Sequence, residues 1–270
     1  MTGDPCELVV VDGPGGARLE GCRHGGHITR WWPAGATQPR LWLSPRYDCG
    51  PGVAIRGGIP VIFPQFSALG QLPKHGLVRD RAWEVRDPRQ PGELAFGLRL
   101  TETSAWPHRA SLTLRAHAEN ARLDVDLHVI NEGSEAFGFT GALHAYLAVS
   151  STAAATLHGL DGADVTDATT DSAATSVVSG PLGAQGPQDL MVRGADLRVT
   201  VRDPQVGSTV LTAAGFDSWV VWNPGRGHTL ADVAPGDEMA FVCVEPAQLD
   251  ERVLPPGQSW RGSLTLKAGS

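Results

Sequence analysis

The chain has 270 residues, with 29 acidic against 22 basic side chains and a formal net charge of −7 at pH 7. That length suits one large all-β sandwich or barrel, and the acidic balance excludes a general nucleic-acid binder, which needs a basic surface to neutralise phosphates. No apolar run approaches the roughly 18 residues of a membrane-spanning helix, so a single domain over residues 1–270 with neither a nucleic-acid nor a membrane partner is expected.

In chain order, the N-terminus MTGDPCELVV shows no basic stretch followed by an apolar segment and a small-residue cleavage site, and a cytoplasmic location is the expectation. Cys6, Cys22, Cys49 and Cys243 are scattered without a CxxC pair. That pattern argues against a disulfide framework and a zinc ribbon and predicts four reduced cysteines. His24 and His27 of HGGH lack further ligands nearby, so no metal is expected there. In RGGIPVIFPQF (residues 56–66) Pro60 and Pro64 interrupt an apolar run. Pro cannot donate to a central ladder, so the segment reads as a turn leading into an edge strand. The glycines could also let the main chain approach a ligand closely while Arg56 offers a planar fork of donors to an oxyanion.

LPKHGLVRD (residues 72–80) then sets Lys74, His75 and Arg79 close together in an acidic chain. Taken alone they read as solvated charges and a turn histidine. With Arg56 near in sequence they also suit a phosphate dianion, the arginines by bidentate hydrogen bonds and the lysine as a point charge.

Strict alternation follows. ELAFGLRL places Leu94, Phe96, Leu98 and Leu100 on one face; SLTLRAHAE does so with Leu112, Leu114, Ala116 and Ala118; ARLDVDLHVINEG with Leu123, Val125, Leu127 and Val129. These are the marks of half-buried strands. GALHAYLAV (residues 141–149) sets His144 in an apolar, strand-like run beside Tyr146. Such a histidine is either a satisfied core residue or a partly desolvated imidazole able to work as general acid or base near neutral pH.

Residues 152–186 are rich in Ala, Ser, Thr and Gly and read as a long loop excursion. DLRVTVRD (Leu197, Val199, Val201) and, near the C-terminus, SLTLKA (Leu264, Leu266) resume the alternation. DSWVVWNPG holds Trp219 and Trp222, equally suited to a core or to a sugar site. In MAFVCVEPA the residues Phe241, Cys243 and Glu245 share one face of a strand, and Val242 and Val244 the other. A carboxylate among apolar groups is costly unless paired or exposed. Glu245 therefore lies either at a strand end marked by Pro246 or in a pocket that fits it to act as a base. Helical periodicity is hard to find, and the 33 Gly and 20 Pro break most windows that could support it. The fold class expected is all-β, a large antiparallel sandwich.

In this order LWLSPR, IRGGIPVIFPQF, HGLVRDRAWEV, LHAYLAV, VVWNPG and ADVAPGDEMAFVCVEPA resemble the aldose 1-epimerase superfamily, and within it the hexose-6-phosphate mutarotase branch, nearly end to end. The resemblance implies a β-supersandwich that interconverts sugar anomers without a cofactor. It places the catalytic pair on His144 and Glu245 and the residues holding the sugar and its 6-phosphate on Arg56, Lys74 and Arg79. His75 is expected in the sugar pocket, and Asp189 of GPQDLMV as an acidic substrate-binding residue. Gln65 and Ser67 stand where many relatives have Trp and Gly, and Lys74 where some have an uncharged side chain, differences that bear on sugar preference. The expected partner is a small sugar phosphate and the expected state a monomer. A mutarotase for unphosphorylated aldoses and a non-catalytic sugar-binding module stay open as alternatives.

Overall fold

A computed structural model describes residues 6–170 and 174–269. Its strands run, in chain order, β1 (Leu8–Asp12), β2 (Arg18–Cys22), β3 (His27–Trp32), β4 (Val61–Ile62), β5 (Glu84–Val85), β6 (Glu93–Leu100), β7 (Ala110–Glu119), β8 (Arg122–Asn131), β9 (Phe137–Leu143) and β10 (Tyr146–Ala148). They continue with β11 (Thr156–His158), β12 (Asp164–Asp167), β13 (Thr175–Val177), β14 (Leu182–Gly183), β15 (Gln188–Arg193), β16 (Arg198–Asp203), β17 (Gly207–Ala214), β18 (Ser218–Asn223), β19 (Phe241–Leu254) and β20 (Ser259–Ala268). No described helix is long and apolar enough to cross a membrane.

Two large antiparallel sheets carry the fold. One has the order β14-β11-β16-β17-β20-β8-β7-β6-β5; the other is β13-β12-β15-β18-β19-β9-β4, with β10 also paired to β19. A three-stranded sheet, β1-β2-β3, stands beside them. The alternation read from the sequence sets which faces meet. Leu112, Leu114, Leu123, Val125, Leu127 and Val129 of the first sheet share a core with Trp219, Val221, Val242 and Val244 of the second. Because side chains alternate between faces, this burial turns Val220, Trp222, Cys243 and Glu245 onto the opposite face of the second sheet.

Two expectations change, and two alternatives left open by the sequence are decided. Residues 152–186 are not a bare loop: β11 and β14 extend one sheet and β12 and β13 the other, as short edge pieces whose pairing comes from their neighbours. Glu245 is not at a strand end, since β19 continues through Pro246 to Leu254. On one side β19 pairs with β10 up to Cys243 and with β9 from Ala247, and Pro246 falls in the gap between them, where a missing donor is tolerated. Cys6 and Cys49 are not reduced but joined, with Cα atoms 5.7 Å apart across a separation of 43 residues; the absence of a CxxC pair says nothing about cysteines that the fold brings together.

The second of these alternatives concerns Gly57 and Gly58, whose small size serves packing. With φ of 110° and 61° they lie where other residues are strained. A Cβ on Gly57 would meet the Trp42 carbonyl at 2.6 Å, and one on Gly58 the Ile28 carbonyl at 2.2 Å. The turn thereby delivers β4 to the edge of its sheet, as the prolines suggested.

Candidate active site

The register of the second sheet builds the floor of the site. Asp189 on β15 lies opposite Trp222 on β18, which lies opposite Cys243 on β19, which lies opposite Tyr146 on β10. Two residues along, Met191, Val220 and Glu245 form the next row on the same face. Extending the register of β10 by two residues sets His144 opposite Glu245. His144 itself sits in the break between β9 and β10, where its N–H donates to the Pro60 carbonyl and the N–H of Val244 donates to the Ala145 carbonyl, each at 3.0 Å.

The two side chains meet with His144 Nε2 3.3 Å from Glu245 Oε1. His144 is 7% exposed and Glu245 1%. Burial, followed by its neighbours His75, Arg56 and Arg79, holds the His144 imidazole well below its usual range. Burial, followed by the nearby Asp189, pushes the Glu245 carboxyl well above its own. The site thus favours the uncharged arrangement, a carboxylic acid beside a neutral imidazole. Nδ1 of His144 and Oε2 of Glu245 are buried without a hydrogen-bond partner, a costly state that a bound polar ligand would relieve. The imidazole stacks on Tyr146, with centroids 4.7 Å apart and planes within 10°, and meets the Trp222 ring edge-on at 6.0 Å.

The cations come from the long connection between β3 and β5. Arg56 donates from Nε to Asp232 Oδ2 and from Nη1 to the Tyr146 hydroxyl, both at 2.9 Å. Burial works against its charge, but Tyr146 and Asp232 outweigh this and its pKa rises. Neither bond uses Nη2, so the fork keeps donors for a ligand. Arg79 donates from Nη2 to the Lys74 carbonyl at 3.2 Å, which ties the two cationic residues into one turn.

His75 lies in that turn at φ 67°, left-handed for a residue with a side chain. Its N–H donates to the Ser67 carbonyl at 2.9 Å, and the N–H of Ser67 donates to His75 Nδ1 at 3.3 Å. A backbone donor needs Nδ1 bare, so the proton of the neutral ring is on Nε2. Burial and then Arg79, Lys74 and Arg56 push this histidine down to about 3. It is a neutral hydrogen-bond donor at physiological pH.

One cavity of about 240 Å³ has Arg56, Lys74, His75, Arg79, His144, Asp189 and Glu245 in its walls. The structure therefore brings together the seven residues expected to act on or hold the substrate. His24 and His27 lie elsewhere, each spent on a backbone carbonyl, of Val53 and of Gly57.

The family model for aldose 1-epimerase matches residues 7–267. The chain belongs to the aldose 1-epimerase family. A protein of Escherichia coli strain K12 named "Putative glucose-6-phosphate 1-epimerase" is 30% identical over 259 residues, covering 92% of this chain and 85% of that one. A protein of the same name from Cenchrus ciliaris is 29% identical over 279 residues, covering 97% and 84%. The crystal structure of a "putative mutarotase" from Salmonella typhimurium superposes with a TM-score of 0.86 at 25% identity, covering 97% of this chain and 90% of that one.

In this member of the epimerase family the cavity has further walls that sequence reasoning did not assign: Phe66, Ser67, Val220, Trp222 and Leu230. Trp222 could have been chosen over Trp219 by face, since Trp222 and Glu245 lie on the side away from the core while Trp219 is within it. Asp232 carried no signal, lying 176 residues from the Arg56 it holds. His144, Cys243 and Glu245 each offer a metal-ligating atom within 4.8 Å of the others. The half-buried positive charges of Arg56 and Arg79 beside them oppose a cation there.

Proposed function

We propose that the chain interconverts the α and β anomers of a hexose 6-phosphate, glucose 6-phosphate being the first candidate, by opening and reclosing the sugar ring. The observation that carries this reading is that one small cavity joins the buried His144–Glu245 pair to the cations Arg56, Lys74 and Arg79. The pair alone would serve any aldose. The three cations have a reason only if the substrate is an anion, and arginine with lysine suits a phosphate.

In this reading the cations hold the phosphate, Asp189 accepts from a sugar hydroxyl, His75 donates from Nε2, and Trp222 and Phe66 offer apolar faces to the ring. Glu245, as carboxylate, takes the proton of the anomeric hydroxyl while His144, as imidazolium, gives a proton to the ring oxygen. The C1–O5 bond breaks, its electron pair going to O5, and C1 becomes an aldehyde. Glu245 is then a carboxylic acid and His144 neutral, the arrangement that burial favours. Rotation about C1–C2 presents the other carbonyl face. On reclosure O5 returns its proton to His144, and Glu245 returns the other to the anomeric oxygen.

Anomer exchange of glucose 6-phosphate followed by NMR exchange spectroscopy tests the reading. Wild type should exceed the buffer rate, Glu245→Gln should lose roughly 10²–10⁴-fold, and Arg79→Ala should lose more on glucose 6-phosphate than on glucose. Buffer-rate exchange by wild type on sugar phosphates would overturn it and leave a binding module.

A further inference from the structure

We propose that the cation cluster does more than grip the phosphate: a dianion seated among Arg56, Lys74 and Arg79 moves the shared proton from Glu245 to His144, so that the pair can attack a closed ring only when the phosphate end of the cavity is filled. This rests on the sugar-phosphate reading above and adds to it a coupling between the two ends of the site.

The geometry supplies both the coupling and the path. The Arg56 guanidinium bonds the Tyr146 hydroxyl at 2.9 Å, and the Tyr146 ring lies flat against the His144 imidazole at 4.7 Å. One ring therefore separates that charge from His144. On another side the His75 ring stands 5.8 Å from His144, in the turn that Arg79 and Lys74 share. The charged or titratable groups around the imidazole are Arg56 from the segment before β4, Lys74, His75 and Arg79 from the segment after it, and Tyr146 from β10. Asp189 on β15 and Cys243 and Glu245 on β19 complete the set, with Asp232 behind Arg56.

Uncompensated, the three cations oppose a fourth positive charge on His144, and the ionised pair is disfavoured in a buried place. Two negative charges at the cluster cancel most of that opposition. The transfer itself is balanced: one proton leaves Glu245 Oε1 and arrives at His144 Nε2 across 3.3 Å, giving a carboxylate and an imidazolium with no net uptake. These are the forms that ring opening consumes.

The test divides the substrate. Anomer exchange of D-xylose, which lacks the phosphate-bearing carbon, is measured with and without sodium phosphite, alongside exchange of glucose 6-phosphate. Phosphite should raise kcat/KM for xylose saturably by about tenfold or more, and Arg79→Ala should abolish the increase. A second measurement covers weak phosphite binding: the imidazole ¹⁵N signals of His144, assigned with a His144→Gln variant. They should change from neutral to imidazolium on adding 1,5-anhydroglucitol 6-phosphate, which binds but cannot open, and stay neutral with 1,5-anhydroglucitol. Catalysed exchange of glucose 6-phosphate with a neutral His144 signal in both complexes would overturn the coupling and leave the proposed function intact. No exchange of glucose 6-phosphate would remove both.

Discussion

Arg56 enters the cavity already oriented, its Nε on Asp232 and its Nη1 on Tyr146. Asp232 is thus a positioning residue for the phosphate grip, and Asp232→Ala should act on binding rather than on the proton transfers. The pair is partly exposed, with side chains 21% and 30% accessible, so screening reduces its worth. We expect a KM for glucose 6-phosphate raised by on the order of tenfold, about 1.4 kcal/mol, with kcat changed little. A kcat that falls as far as kcat/KM would place Asp232 in the chemistry instead. Gln65 braces the neighbouring turn: its Nε2 donates to the carbonyls of Ser67 and Leu72, each at 3.0 Å, and its Oε1 accepts from the Leu72 N–H at 2.9 Å. Gln65→Glu keeps the shape but turns acceptor oxygens toward two carbonyls. It should cost about 1–3 kcal/mol in urea unfolding, and an unchanged midpoint would show that the turn finds other support.

At the scale of elements the Cys6–Cys49 bond ties the segment before β1 to the connection that leads to Arg56. It closes a separation of 43 residues, for which the chain-entropy argument gives up to about 4 kcal/mol. Cys6→Ser, or reduction of the wild type, should therefore lower the unfolding free energy measured in urea by an amount within that limit. Equal midpoints in oxidised and reduced protein would mean that the bond is not made in solution. This bond was illegible in the sequence because spacing does not report proximity, whereas β6, β7 and β8 were legible because apolar residues recur at every second position through strands of eight to ten residues, and the last six residues of β20 for the same reason. The same alternation put Glu245 on a face with Phe241 and Cys243. It could not supply the register that sets Glu245 beside Val220 and His144, because register is a property of two strands and only one was being read. The strands β11 to β14 are two to four residues long, too short for a period to show, and they exist because neighbouring edges offer them partners.

For the molecule as a whole, buried histidines make the fold sensitive to mild acid. His27 is buried against the Gly57 carbonyl and pushed down to about 3, chiefly by desolvation; His75 is pushed to about 3 by burial and then by the cations beside it. A histidine whose folded pKa lies below its unfolded value binds fewer protons in the folded chain. Its deprotonated folded form is therefore favoured above about pH 6.5, and that advantage is lost as pH falls toward about 3. His144 shifts in the same sense, but Glu245 shifts oppositely, gaining a proton in the folded chain before the unfolded one does. To first order that pair offsets itself and leaves His27 and His75, each able to contribute at most about 1.4 kcal/mol per pH unit, with a smaller contribution in the same sense from His128, held below its usual value by partial burial and then by Arg261. Asp126 and Asp189, raised by burial, and Glu93, Asp124 and Asp203, held low by their hydrogen bonds despite burial, act nearer the carboxylate range. Stability should accordingly begin to fall near pH 6.5, before carboxylates titrate. His75→Asn isolates one source: Asn tolerates the left-handed backbone at this position, and its Oδ1 can accept from the Ser67 N–H in place of Nδ1. Between about pH 7 and about pH 5 the unfolding free energy of this variant should decline about half as steeply as that of wild type. Parallel curves would show that His75 takes up its proton as readily in the folded chain as in the unfolded one, and would place the acid sensitivity at His27 and His128.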